Sequence, residues 1–194
     1  MNIIIFGPPG AGKGTQAKII AQENNLVHLS SGELSRRLLN DKKLGEKIKK
    51  YLDSGQLIPN YLINNIVEKF IQTNLSCNGF IFDGYPRNLG QAKELDKFTK
   101  KNKIKINLVI NLKLSEKEAL RRILLRGKIS GRSDDNLKIV TNRLKIYRER
   151  TAPILSYYRN QKKLKNIDGQ QTIAQIAKEI RRIIKESGLN KKSL

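Results

Sequence analysis

The chain has 194 residues and carries 39 Lys and Arg against 17 Asp and Glu, which gives a formal net charge of +22. One cysteine excludes an internal disulfide, and Cys77 with the single histidine, His28, cannot supply the ligands of a structural zinc site. At 38% hydrophobic residues the composition is that of a folded domain, and no stretch approaches the roughly 18 apolar residues of a membrane span. We therefore expect one globular domain in the cytoplasm, without a membrane partner.

Short β-branched runs alternate with helical patterns along the chain. Five apolar runs predict buried strands, at 2–6, 26–29, 80–82, 106–112 and 164–167. Periodic segments predict helices at about 13–24, 60–74, 88–101, 115–126, 134–158 and 172–187. Near-continuous apolar strands between helices are typical of a parallel sheet covered on both faces, so we predict an α/β, doubly wound, five-stranded sheet. Ligands bind such sheets beyond the carboxyl ends of the strands.

Two stretches interrupt this pattern. Residues 30–58 lack a strand signal and predict short helices that form an insert over the sheet edge. Residues 127–135 contain two glycines and two acidic residues, a composition typical of a mobile lid with glycine hinges. Within a single domain, 1–194, we predict a core at 1–29, 59–125 and 137–194, an insert at 30–58 and a lid at 126–136.

The first predicted strand is followed by GPPGAGKGT at residues 7–15 and then by a helix. This order is typical of a phosphate-binding loop, because backbone N–H groups and a helix N-terminus surround anionic oxygens while Lys13 reaches the terminal phosphates. The common form has Ser or Thr directly after the Lys, but here Gly14 intervenes, so we do not expect Thr15 to ligate magnesium directly. The predicted phosphate contacts are Gly10, Ala11, Gly12, Lys13, Gly14 and Thr15.

The segment GPPGAGKGTQA is similar to the loop of the nucleoside monophosphate kinases, and of the adenylate kinases in particular. The resemblance continues in order through LSSGELSRR, DGYPRNLGQA, GRSDD and RLKIYRERTAPILSYY, and covers essentially the whole chain. It implies a nucleotide-binding insert and a short lid, without the larger, sometimes zinc-bearing insert of many bacterial members. It also implies a monomer that transfers the γ-phosphoryl of ATP, with Mg²⁺, reversibly to AMP, giving two ADP.

The resemblance assigns roles to six arginines, a residue type that grips phosphate with a planar fork. Arg36 and Arg87 are expected to hold the α-phosphate of the acceptor. Arg126 is expected to contact the donor phosphates, with Arg122 near the donor base. Arg132 and Arg143 are expected to surround the migrating group. Together with Lys13, the arginines expected to be catalytic are Arg87, Arg126, Arg132 and Arg143.

Four carboxylates also receive roles. Asp83 follows a predicted strand near Lys13, at the position of a carboxylate that holds magnesium through water. Glu33 stands where adenylate kinases usually have Asp and is given a similar indirect role. Asp134 and Asp135 resemble the lid pair that orients the arginines, with a helix N-cap as the alternative.

The acceptor base is assigned through Gln91, which matches the glutamine that pairs with adenine and favours AMP. Ser31 stands where the family usually has Thr. The remaining expected AMP contacts are Arg36, Gln56, Leu57, Ile58, Gly84, Tyr85, Pro86, Arg87, Arg132 and Arg143, while backbone near Gln171 is expected to meet the donor adenine. The lid segment RGKISGRSDDN also resembles uridylate/cytidylate kinases, so a UMP/CMP kinase of the same fold stays open.

His28 is expected to be a packing residue.

The positive charge permits a third hypothesis from another class, a basic ATP-dependent protein that binds RNA or DNA. The lysines are scattered in short doublets rather than gathered in a basic tail, and the 11 Phe and Tyr form no RNA-binding motif. We therefore expect no nucleic-acid partner and no obligate protein partner. The expected small-molecule partners are ATP, AMP and ADP.

Overall fold

The computed structural model describes residues 1–131 and 133–189. Five strands form one sheet: β1 (Ile3–Phe6), β2 (Val27–Ser30), β3 (Phe80–Asp83), β4 (Leu108–Lys113) and β5 (Leu164–Asp168). Their order is β2-β3-β1-β4-β5, and every neighbouring pair is parallel. The predicted five-stranded parallel α/β sheet is confirmed.

The helices connect successive strands. In chain order they are α1 (Lys13–Glu23), α2 (Ser31–Arg37), α3 (Gly45–Ser54), α4 (Asn60–Gln72), α5 (Leu89–Lys101), α6 (Glu116–Ser130), α7 (Leu137–Ile146), α8 (Ile154–Asn160) and α9 (Ile173–Glu186). Short 3₁₀ turns occur at Leu38–Asn40 and Ser133–Asp135, and a π-helical turn at Tyr147–Thr151 follows α7. The predicted insert therefore contains two short helices, α2 and α3. None of the helices in the described ranges combines the length and apolar character needed to span a bilayer.

Alternate residues of β1 belong to different cores, because successive strand side chains point to opposite faces. Ile4 and Phe6 pack in a cluster with residues of α4, α5 and α8. Ile3 and Ile5 pack in a second cluster with residues of α1 and α9. The strand is buried along its whole length, which explains the continuous apolar run in the sequence.

The single long helix predicted at 134–158 is wrong. The Asn136 side chain accepts a hydrogen bond from Ile139 N at 3.0 Å and caps α7, so that helix begins at Leu137. At the other end the π-helical turn interrupts the regular hydrogen bonding. Pro153 lacks a backbone N–H and cannot donate to the preceding turn, so α8 begins after it.

The stretch 127–135, predicted to interrupt the helices, is regular in its first half, and its role as a lid stays a prediction. Residues 127–130 are helical, because α6 continues to Ser130 and ends at Gly131, whose φ of 63° is the left-handed conformation that glycine favours. Gly127 lies inside α6. A Cβ there would lie 3.0 Å from the carbonyl oxygen of Asp135, so glycine is needed for the close contact between α6 and the turn at Ser133–Asp135. Arg132 lies outside the described residues.

Candidate active site

The glycine-rich loop joins the carboxyl end of β1 to the amino end of α1. Gly10 has φ of 83°, and a Cβ at this position would lie 2.7 Å from the carbonyl oxygen of Ala119. Glycine is therefore required both by the backbone conformation and by the close approach of α6. The loop is packed tightly from behind, which directs its open side to the carboxyl edge of the sheet.

A cleft of about 530 Å³ opens at that edge. Its walls include the loop residues Gly10, Gly12, Lys13, Gly14 and Thr15. Five of the six arginines with predicted roles also line it: Arg36, Arg87, Arg122, Arg126 and Arg143. Its carboxylates are Glu33 and Asp83. A space of this size with this excess of cations suits a polyphosphate ligand.

Lys13 lies at the centre of this charge. Its Nζ donates hydrogen bonds to the carbonyl oxygens of Gly7 (2.8 Å) and Pro8 (2.9 Å). Burial lowers the pKa of Lys13 to about 8; Asp83 opposes that change, and the nearby Arg87 and Arg143 add to it. An anion bound in the cleft would favour the charged form of Lys13.

Arg87 is held by contacts along its whole length. Its Nε donates to the Gly84 carbonyl at 2.6 Å, and its own carbonyl accepts from the Thr151 hydroxyl at 2.8 Å. Burial and the charge of Arg143 lower the pKa of Arg87 to about 10, which leaves it protonated at neutral pH. The guanidinium is therefore a fixed positive charge beside Lys13.

Asp83 ends β3, and its Oδ2 lies 3.5 Å from Nε2 of His28, which lies within the neighbouring strand β2. Burial opposes ionisation of Asp83, but the contact with His28 and the charge of Lys13 hold its pKa below the usual range. A Cβ at Gly14 would lie 3.3 Å from Asp83 Oδ2. Gly14 thus lets the ionised carboxylate approach the start of α1, a physical reason for glycine where the common loop has a hydroxyl.

Glu33, the other carboxylate of the cleft, pairs with Lys18 at 3.2 Å. In residues 1–131 and 133–189 no group of three or more His, Cys, Asp or Glu side chains is placed to hold a metal ion.

Asp135 forms ion pairs with both Arg126 and Arg143. Its buried carboxylate accepts two hydrogen bonds of 2.7 Å from Arg126 and one of 3.0 Å from Arg143. Arg143 also donates to a carboxylate oxygen of Asp134 at 3.1 Å. Asp134 and Asp135 therefore contact these arginines as the resemblance implied, while the cap of α7 is Asn136.

A second, smaller cavity adjoins the cleft and contains Leu57, Gly84, Pro86 and Arg87 in its walls. Gln56 and Ile58 flank Leu57, and Ile58 belongs to the apolar core. The Ser31 hydroxyl donates to the Gly84 carbonyl. Tyr85 is buried; its hydroxyl donates to Asn64 Oδ1 at 2.8 Å, and the Tyr85–Pro86 peptide bond is cis.

Gln91 is buried behind this cavity. Its Oε1 accepts from Arg87 N at 2.7 Å, and its Nε2 donates to Asn60 Oδ1 at 3.0 Å. The carboxamide is therefore fixed next to Arg87, and its pairing with a base stays a prediction.

Arg122 and Gln171, the residues predicted to lie near the donor base, are close to the turn that follows β5. Arg122 donates to Glu118 at 2.7 Å and to the Gly169 carbonyl at 2.9 Å. Gln171 follows two residues later, and its side chain donates to Glu179 at 3.3 Å. Arg122 thus connects α6 to the turn after β5, which brings the two predicted donor contacts to one region.

Sequence analysis missed two neighbours of the site. His28 was expected only to pack, and Asn60 received no role. The contact of His28 with Asp83 depends on β2 lying beside β3, and that strand order is not visible in local patterns. For Asn60, the only signal was its place at the start of a predicted helix.

The fold and the cleft together define a class, the P-loop phosphotransferases that act on nucleotides. The phosphate loop and five arginines line one cleft at the carboxyl edge of a parallel sheet. Residues 5–163 match the family model described as adenylate kinase. The chain belongs to the adenylate kinase family.

Curated relatives agree over most of the chain. It is 42% identical over 181 residues to an adenylate kinase of Azobacteroides pseudotrichonymphae, covering 93% of this chain and 95% of the relative. It is 40% identical over 186 residues to one of Flavobacterium psychrophilum, covering 95% and 98%. It is 42% identical over 177 residues to one of Mycobacterium tuberculosis, covering 91% and 94%.

Proposed function

We propose that this chain transfers the γ-phosphoryl group of ATP to AMP reversibly, giving two ADP. The observation that carries the proposal is the gathering of Lys13 and five arginines in one cleft whose carboxylates are Asp83 and Glu33. Such an excess of fixed positive charge suits two nucleotides that together bring several phosphate groups. Membership of the adenylate kinase family supports the same reaction.

Each part of the cleft has a task in this reaction. Backbone N–H groups of the loop, Lys13 and Arg126 hold the ATP phosphates, and Arg36 and Arg87 hold the AMP phosphate. An oxygen of the AMP phosphate attacks the γ-phosphorus while the bond to the β-phosphate oxygen breaks, so one ADP forms on each side. That attacking oxygen already carries negative charge, so no general base is needed. The protein contributes alignment and charge neutralisation, and Arg143 lies between the two sides.

Magnesium fits the same cleft as an ion that arrives with ATP. The Asp83 carboxylate is held ionised, and Gly14 leaves it room next to the phosphate loop. Asp83 and Glu33 would hold the ion through water. Bound Mg²⁺ would neutralise part of the phosphate charge.

Initial rates of phosphoryl transfer from MgATP to AMP, dAMP, UMP, CMP and GMP test the proposal directly. We expect AMP to be the preferred acceptor and a metal chelator to abolish transfer. A preference for UMP or CMP would instead identify a UMP/CMP kinase, the alternative that the resemblance of the lid segment left open. Transfer to none of these acceptors would contradict the proposal and favour a protein that only binds nucleotides.

We also propose a monomer in the cytoplasm. The support is the lone Cys77, which suits a reducing compartment, and the resemblance to nucleoside monophosphate kinases. Light scattering after size exclusion should give a mass near 22.1 kDa. A value near twice that mass would contradict the monomer.

A further inference from the structure

Three carboxamide side chains form one hydrogen-bonded group next to Arg87, which lines the smaller cavity. Gln91 Nε2 donates to Asn60 Oδ1 at 3.0 Å, and Asn88 Nδ2 donates to the same oxygen at 2.8 Å. Asn60 is the first residue of α4, and Asn88 is the N-cap of α5. The group thus connects the start of α4 to the first turn of α5, where Gln91 lies.

Two backbone N–H groups determine which end of each carboxamide is the oxygen. Arg87 N can only donate, so the atom it meets at 2.7 Å is the oxygen of Gln91. Gln91 N also can only donate, so the atom it meets at 2.9 Å is the oxygen of Asn88. The NH₂ groups of Gln91 and Asn88 therefore both point to Asn60, which must present its oxygen to them.

This arrangement leaves part of the hydrogen-bonding capacity of the buried Gln91 carboxamide unused. A carboxamide has two N–H donors and an oxygen with two acceptor lone pairs. Within the protein, Gln91 Oε1 accepts one hydrogen bond and Nε2 donates one. One acceptor position and one N–H remain. The free acceptor position matches the 6-amino group of adenine, which donates, and the free N–H matches adenine N1, which accepts. Hypoxanthine has the opposite pattern, with an acceptor at O6 and a donor at N1.

We propose that Asn60 is a positioning residue for base specificity, because its oxygen holds the Gln91 carboxamide in the orientation that matches AMP and opposes IMP. This inference rests on the proposed function, since it places the acceptor base against Gln91. Asn60 acts through Gln91 and contacts no substrate. Its task needs only an acceptor at the Oδ1 position, so Asp can replace Asn60, whereas Leu, which is similar in size, cannot.

The test compares kcat/KM for AMP and IMP, with MgATP as donor, in the wild type, Asn60→Leu and Asn60→Asp. Asn65→Leu is the matched control, because Asn65 is an exposed residue of the same helix. We expect the wild type to prefer AMP by about tenfold or more, the usual scale of a two-bond contact with a base. Asn60→Leu should reduce that preference about tenfold, mainly by raising KM for AMP, with KM for ATP unchanged. Asn60→Asp and Asn65→Leu should both keep the wild-type preference.

The outcomes separate this inference from the proposed function. A wild type that prefers AMP, together with an Asn60→Leu variant that keeps the same AMP-to-IMP ratio, overturns the inference alone. Equal losses in Asn60→Leu and Asn60→Asp also overturn it, because the acceptor oxygen would then not be the feature that matters. A wild type that transfers to neither AMP nor IMP, or prefers IMP, overturns both. Melting temperatures within about 2 °C of one another confirm that the variants are folded.

Discussion

At the scale of single residues, Lys13 sets function against stability. The fold holds its ammonium group among other cations, and burial lowers its pKa to about 8. Keeping Lys13 charged at neutral pH therefore costs about 3 kcal/mol of folding free energy, at 1.36 kcal/mol for each pKa unit. Under the proposed function, this charge would neutralise the phosphates of the substrate.

We expect Lys13→Met to reduce kcat by at least about 10³ and to raise the melting temperature at pH 7. The loss of activity follows from the removal of a charge that neutralises the transferred phosphate. The gain in stability follows from the burial cost, offset by the lost hydrogen bonds to Gly7 and Pro8, and should amount to about 2–8 °C. Steady-state kinetics and thermal unfolding at pH 7 measure both effects.

The dependence on pH checks the cause. The folded-state pKa of Lys13 lies below its ordinary value of 10.5, so the cost is complete below pH 8, shrinks between pH 8 and 10.5, and disappears above that range. The difference in stability between Lys13→Met and the wild type should therefore narrow as pH rises through this window. Lys178→Met, at an exposed position on α9, should match the wild type throughout. A stability difference that is constant with pH would contradict the explanation.

Residue types and spacing were enough to predict the phosphate loop, and the resemblance to nucleoside monophosphate kinases identified five arginines that line the cleft. They could not predict the partners that these residues use, because those partners come from distant segments. His28 meets Asp83 across two strands, and Gln91 meets Asn60 across two helices. Local patterns carry no information on which strand or helix end lies next to which.

At the scale of elements, Asp135 holds the end of α6 to α7. Its side chain has no solvent exposure and accepts from Arg126 and Arg143. We expect Asp135→Asn to destabilise the fold by about 3 kcal/mol, because Arg126 would lose its counter-charge and Arg143 would keep only that of Asp134. Urea unfolding at pH 7 measures this loss. Glu116→Gln, which removes an exposed partner of Arg148, is the control and should cost less than about 1 kcal/mol.

Acid should reduce the difference in unfolding free energy between Asp135→Asn and the wild type. Burial opposes ionisation of Asp135, but hydrogen bonds from Arg126 and the charges of both arginines hold its pKa below the usual 3.8. Its stabilising contribution is therefore complete above about pH 4 and is lost as pH falls through the lower folded-state value. Asp135→Asn should remain less stable than the wild type from pH 7 to pH 5 and approach it below pH 4. Equal stability at pH 7 would show that the ion pairs contribute nothing.

The elements themselves were predictable where burial is uniform. The inner strands β1, β3 and β4 appeared as near-continuous apolar runs because both faces of the sheet are covered there. The prediction of a buried strand at 164–167 is wrong in its burial, because β5 lies at the edge of the sheet and only Ile167 in it is fully buried. The segment 127–158 was not predictable to the same degree. Its helix boundaries depend on the cap at Asn136, the π-helical turn and Pro153. Gly127 lies inside α6 in close contact with Asp135.

At the scale of the whole molecule, there are far more positive side chains than carboxylates to pair with them. Even if each of the 17 carboxylates paired with a separate cation, 22 Lys and Arg side chains would stay unpaired. Repulsion between them extends about 30 Å at 0.01 M salt but only about 8 Å at 0.15 M. The folded state brings these charges together and should therefore be least stable at low ionic strength.

We expect the melting temperature to rise as sodium chloride increases from about 0.01 M to about 0.15 M, with choline chloride giving the same rise because screening does not depend on the cation. Four exposed lysines near the amino end of β4 allow a matched variant, in which Lys100, Lys101, Lys103 and Lys105 are changed to Gln. These lysines lie at the sheet edge opposite the cleft. The variant should melt higher at low salt, respond less to salt, and keep its phosphoryl transfer rate. A wild-type melting temperature that falls with salt would mean that ion pairs such as Arg126–Asp135 outweigh the repulsion, because screening would then weaken the larger of the two effects.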